Sequence, residues 1–180
     1  LTSRTGLPNE YTKLVFADGS NRDAALVRRS GKMVSEGMLR AATMQEWGFH
    51  EVKLGPETNG RGTGYLVISG GPGDILYLKT QLRQITLPGK RGEPRSAFNG
   101  LWEVSGATGK FNGLQGAGTL RINRLSESER QWVLEGKLSE PQLELPIESM
   151  RARPISWSTG KQENSIAIFH VWYMGIGPPK

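Results

Sequence analysis

At 180 residues the chain is long enough for one substantial hydrophobic core and short for two. Apolar residues make up 36% of it and charged residues 22%, a balance that excludes a disordered polymer, and the absence of cysteine excludes disulfides, thiolate catalysis and cysteine-ligated metal sites. The formal net charge of +6 is concentrated in positions 61–130, which carry 10 basic and 5 acidic side chains, with Lys79, Arg83, Lys90, Arg91 and Arg95 prominent.

Residues 1–31 read as an irregular N-terminal arm. Leu7–Pro8–Asn9 and Asp18–Gly19–Ser20–Asn21 are turn signals, and Arg22 to Arg29 has the composition of a short helix with Asn21 as its cap. Residues 32–175 read as a single β domain and 176–180 as a tail. Met33 to Arg40 is a strand interrupted at Gly37. Gln45 to Leu54 alternates, with Trp47 and Phe49 on one side and Glu46 and His50 on the other. After the turn cluster Gly55 to Gly60, the strand Arg61 to Ser69 places Thr63, Tyr65 and Val67 on one face and Leu66 and Ile68 on the other. Gly70 to Asp74 is a second turn. Ile75 to Leu87 then carries a stripe of Leu76, Leu78, Thr80 and Leu82 opposite Tyr77, Lys79, Gln81 and Arg83.

Pro88 to Arg95 reads as a charged loop, Leu101 to Ser105 as a short strand, and Ala117 to Asn123 as the strand after a tight turn at Gly106 to Lys110. Ser126 to Arg130 is a charged connection. Gln131 to Leu138 sets Trp132, Leu134 and Leu138 on one face, and Ile166 to Met174 closes the pattern. No strand is followed by a long amphipathic helix, so the expected class is all-β, a closed antiparallel barrel of about eight strands. A barrel leaves no open strand edge, although periodicity alone does not separate it from a sandwich.

The segment Phe98 to Gly118 reads FNGLWEVSGATGKFNGLQGAG. With Gly106, Thr108, Gly109, Phe111, Gly113, Gly116 and Gly118 at its centre, it resembles the allene-oxide-cyclase-like barrel superfamily, which includes the dirigent proteins and small bacterial members. Gly62 to Gly70 and Trp132 to Leu138 resemble the flanking strands. The resemblance implies an eight-stranded antiparallel barrel with a small cavity. In its plant members it implies trimers that guide cyclisation or radical coupling of hydrophobic molecules. It carries no catalytic residue onto this chain. The residues alone account for the same segment: Thr108–Gly109 tightens a turn, Phe111 anchors the returning strand, and the glycines permit bends and close packing.

Two glycine-rich stretches, Gly60 to Gly64 and Gly106 to Gly109, are followed by strand-like sequence and not by a helix, which argues against a dinucleotide site. Phe111 stands where a P-loop needs a hydroxyl after Gly109–Lys110. No cofactor and no metal is therefore expected. Nucleic acid is not expected as a partner either, because such a surface wants its basic charge on one face with exposed aromatics between. No apolar run approaches the ~20 residues of a membrane helix, so no membrane is expected. The first residue, Leu1, suggests a removed leader and a secreted or periplasmic protein, with the cytoplasm as the alternative.

The candidate polar groups are His50 and His170, which a closed barrel could bring together, and Glu103, Glu135 and Tyr65. An inward pair of carboxylates beside Tyr65, Tyr77 or Arg83 would suit proton transfer or polar-ligand recognition, because a buried carboxylate needs a partner. The simpler alternative turns Glu103 and Glu135 to solvent. Of the tryptophans Trp47, Trp102, Trp132, Trp157 and Trp172, most are expected in the core and Trp157 at a contact or lid. Three functions fit this reading: a barrel that binds a small, partly hydrophobic molecule; a cyclase-like or isomerase-like enzyme; or a structural protein forming a homo-oligomer, a trimer by the resemblance.

Overall fold

A computed structural model describes residues 1–55, 58–88 and 94–140. They form nine strands: β1 (Thr2–Thr5), β2 (Glu10–Val15), β3 (Arg22–Val34), β4 (Thr43–Lys53), β5 (Asn59–Gly71), β6 (Asp74–Pro88), β7 (Pro94–Ala107), β8 (Gln115–Arg124) and β9 (Arg130–Ser139). From β3 to β9 each strand pairs antiparallel with the next. The short β1 pairs with β9 on one side and with β3 on the other, which closes eight strands into a barrel. The ninth, β2, lies on β3 beyond β1, outside the closed ring.

The alternation of side chains determines which wall faces inward, since successive residues of a strand point to opposite faces. Leu66 and Ile68, then Leu76, Leu78 and Leu82, then Trp102, Leu120, Ile122, Trp132 and Leu134 fill the interior. Trp47, Phe49 and Tyr65 take the alternate positions and stand half-exposed on the outside. Each inward Leu or Ile contributes about 1.5–3 kcal/mol when fully removed from water, so this stripe dominates the stability of the wall.

Residues 1–31 differ from the sequence expectation. They contribute β1, β2 and most of β3, and Arg22 to Arg29 is a strand, not a helix. Helix propensity amounts to only tenths of a kcal/mol per residue. Here it loses to ladder hydrogen bonds on both edges of β3, which pairs with β4 on one side and with β2 and β1 on the other. The first strand of the main domain therefore ends at Val34, and Gly37–Leu39 is a 3-10 turn.

One end of the barrel is plugged. The turn at Gly37–Leu39 buries Leu39, and a second 3-10 turn, Gly109–Phe111, buries Phe111 completely. The second turn is tied to the β5–β6 hairpin. Thr108 Oγ1 donates to the Gly73 carbonyl at 2.7 Å and accepts from the Ile75 N–H at 3.1 Å. The Asp74 carboxylate accepts the Lys110 N–H at 3.0 Å and pairs with Lys110 Nζ at 3.2 Å; these bonds, the backbone one foremost, hold its pKa below the usual value. Gly109 has φ +58°, and a Cβ there would collide with Asp74 Oδ1, so this position requires glycine on both counts. The Thr108 to Phe111 part of the glycine-punctuated segment thus builds the base of the barrel. Gly60, Gly62 and Gly64 lie within β5, with strand on either side, so no βαβ phosphate site forms there.

Candidate functional site

The opposite end, where β4 leads to β5, β6 to β7 and β8 to β9, holds a cavity of about 210 Å³. Its apolar wall is Leu82, Phe98, Ile122 and Trp132, and its polar lining includes Arg29, Glu46, His50 and Arg130. Trp132 is held in place by its indole N–H, which donates to Thr5 Oγ1 at 3.1 Å, so β1 supports the wall as well as closing the barrel.

Glu46 is the centre of the polar side. Its side chain is 4% exposed, and Arg29, 14% exposed, approaches it from β3 with Nε 2.6 Å from Oε2. A carboxylate so buried is costly unless paired. The Arg29 contact is short but poorly aligned for a hydrogen bond, so Arg29 Nε and Glu46 Oε2 form an ion pair that leaves hydrogen-bonding capacity unused in a buried place. The other carboxylate oxygen, Oε1, lies 2.8 Å from His50 Nε2. Glu46 and His50 occur four residues apart on the inward face of β4, with Gly48 between them. A Cβ at Gly48 would stand 2.6 Å from His50 Nε2 and 2.9 Å from Glu46 Oε1, and one at Gly62 on β5 would stand 3.4 Å from His50 Cδ2. The two glycines therefore clear the floor on which the pair lies.

Arg130 enters from the start of β9. Its Nη1 donates to the carbonyls of Ser126, Glu127 and Glu129, and no carboxylate pairs with it among the described residues. Burial lowers its pKa, and Arg124 and Arg29 push it the same way. Arg124 stands directly opposite Arg130 in the β8–β9 register. Like charges facing each other across a ladder are destabilising. Arg29 and Arg130 thus line the cavity beside one buried carboxylate, Glu46, and Arg124 opposes Arg130 from β8.

The other candidates fall elsewhere. Of the four described polar residues singled out from sequence, His50, Glu103, Glu135 and Tyr65, only His50 lines this cavity. Glu103 and Glu135 point outward, 60% and 66% exposed, beside Lys79 and Arg121 respectively, and Tyr65 is 43% exposed on the outer face. Both glutamates have odd-numbered positions in strands whose even-numbered neighbours Trp102 and Leu134 are buried, so strand parity alone turns them to solvent. An inward Glu103–Glu135–Tyr65 constellation is thereby overturned. His170, Trp157, Trp172, Lys90 and Arg91 lie outside the described residues. Trp102 and Trp132 are core, whereas Trp47 is exposed with Arg28 stacked over it at 4.3 Å.

Arg29, Glu46 and Arg130 are the residues that sequence reasoning missed. Arg29 was hidden by the helix reading and Arg130 by its place in a charged connection. The signal for Glu46 was present: a carboxylate and a histidine on one face of a strand, separated by a residue without a side chain. No group of three or more His, Asp or Glu able to hold a metal occurs among the described residues, and no helix there is long and apolar enough to cross a membrane. No protein-family model matches the chain, and no curated protein or solved structure matches it either.

Proposed function

We propose that this protein binds a small anion with an apolar body in the cavity lined by Arg29, Glu46, His50 and Arg130. The observation that carries the reading is Arg130, a partly buried guanidinium that faces two other cations without a carboxylate of its own among the described residues, at the rim of a cavity whose far wall is Phe98, Leu82, Ile122 and Trp132. An anion would relieve the repulsion between Arg124, Arg130 and Arg29, and the apolar wall would take the rest of the molecule. Pockets for drug-sized ligands run to roughly 300–1,000 Å³, so a cavity of about 210 Å³ fits a compact metabolite. The resemblance of the glycine-rich base to allene-oxide-cyclase-like barrels agrees with a cavity site for a partly hydrophobic molecule.

The test uses 3-phenylpropionate, a carboxylate on an aromatic body, titrated calorimetrically into the full chain. Saturable binding is expected, weakened at least tenfold by Arg130→Met, about 1.4 kcal/mol, and weakened by added salt. Affinity unchanged in Arg130→Met, or binding equal to that of uncharged 3-phenylpropanol, would remove the guanidinium from the site.

A further inference from the structure

The same cavity holds more than a binding surface needs. If its task were only to neutralise an anion, a buried carboxylate beside the arginines would work against it. Glu46 is nonetheless there, almost fully buried, held on one oxygen by Arg29 and turned with the other onto a histidine. Glu46 Oε2 is paired with Arg29, and Glu46 Oε1, as a carboxylate oxygen, accepts the hydrogen bond that His50 Nε2–H donates. In the neutral imidazole, that hydrogen bond places the proton on Nε2 and the lone pair on Nδ1.

The direction of Nδ1 follows from the glycines. The atoms of the His50 ring nearest to the Gly48 and Gly62 positions are Nε2 and Cδ2. The Cδ2–Nε2 edge therefore lies against the β4–β5 wall, and the opposite edge, which carries Nδ1, faces away from that wall. No described residue bonds to Nδ1. A histidine with one nitrogen fixed by a buried carboxylate and the other without a described partner beside a cavity is an arrangement for proton transfer.

Resting on the anion-binding reading above, we propose that the cavity is a proton-transfer site for small carboxylates bearing an acidic C–H next to a carbonyl, with His50 as the base and Glu46 as the residue that positions it. In the step, His50 Nδ1 takes a proton from the carbon. The C–H electron pair moves into the new C=C bond and the carbonyl π pair moves onto oxygen. Arg29 and Arg130 are the donors available for the resulting enolate and for the carboxylate. The imidazolium, stabilised by Glu46, returns the proton to the enolate oxygen and releases the enol. The sum is a tautomerisation, with no oxidant, reductant or co-reactant. The charged groups that face His50 in this cavity are Glu46 on its own strand, Arg29 on β3, Arg61 on β5 and Arg130 on β9, Arg61 being paired with Glu51 at 3.0 Å.

Phenylpyruvate is the probe: a 2-oxo acid with an acidic methylene and an aromatic body. The full chain is mixed with it in deuterated buffer, and loss of the methylene proton signal is followed by NMR, with binding measured on the same samples by calorimetry. Exchange is expected at least tenfold faster than in buffer alone. His50→Gln, or the smaller His50→Asn where the first variant does not fold, is expected to return the rate to that of buffer. Glu46→Gln is expected to lower kcat at least tenfold while changing KM little and to alter the pH profile, because the carboxylate acts through His50. Glu103→Gln, on the outer wall, is expected to leave the rate unchanged. Binding without faster exchange, or exchange that survives in both His50 variants, overturns the proton-transfer role and leaves the binding site standing. An absence of binding overturns the anion-binding reading and this one with it.

Discussion

Arg29 and Glu46 test how a buried ion pair is held in this barrel. Both side chains are largely removed from water. Removing one member of such a pair leaves an uncompensated charge and costs about 3–5 kcal/mol, whereas replacing both with apolar groups of similar volume is often close to neutral. Arg29→Met and Glu46→Leu are therefore each expected to destabilise by about 3 kcal/mol or more in urea unfolding. The double variant is expected to lose less than either single one. A double variant that loses the sum of the two would show that each residue acts through separate contacts. Glu103 and Glu135 supply the contrast. They are the same residue type on strands of the same sheet, but on the solvent face, where pairs such as Lys79–Glu103 at 3.5 Å contribute little.

At the scale of elements, the base and the mouth are built by different devices. The base is a turn that inserts an aromatic plug: Phe111 has no exposed surface, and the hydrogen bonds of Thr108 and Asp74 fix the backbone that carries it. Phe111→Ala is expected to cost about 3–5 kcal/mol, read as a lowered denaturant midpoint. Phe49→Ala, on the outer face of β4 and 46% exposed, is expected to cost well under half of that. Equal losses would mean that the plug is not what closes the base. Sequence reasoning placed Phe111 inward because a turn signal preceded it and strand-like sequence followed. The sequence reading of Met33 to Arg40 as a strand interrupted at Gly37 marks the break but not the 3-10 turn at Gly37–Leu39, whose Leu39 finds a buried place under the barrel.

For the barrel as a whole, closure depends on four residues. Thr2–Thr5 pair with Gly31 to Val34 on one side and with Arg130 to Val133 on the other, and Ser3 and Thr5 are buried in the seam. A chain lacking residues 1–6 would present both of those edges unpaired, and open edges recruit other chains. It is expected to associate in a concentration-dependent way in size-exclusion chromatography with light scattering, and to lose the support that Thr5 gives Trp132. A monomeric, equally stable truncated chain would show that β1 is not the closing strand. Period-two alternation, turn-forming glycines and the absence of amphipathic helices determined the class, the approximate positions of β4 to β9 and the two faces of β4, β5, β6 and β9, because these are properties of neighbours along the chain. The partners of β1 and β3, and the meeting of Arg29, Glu46, His50 and Arg130 from three strands, were decided only by the tertiary structure. Alternation states which way a side chain points, but curvature and register state what it points at.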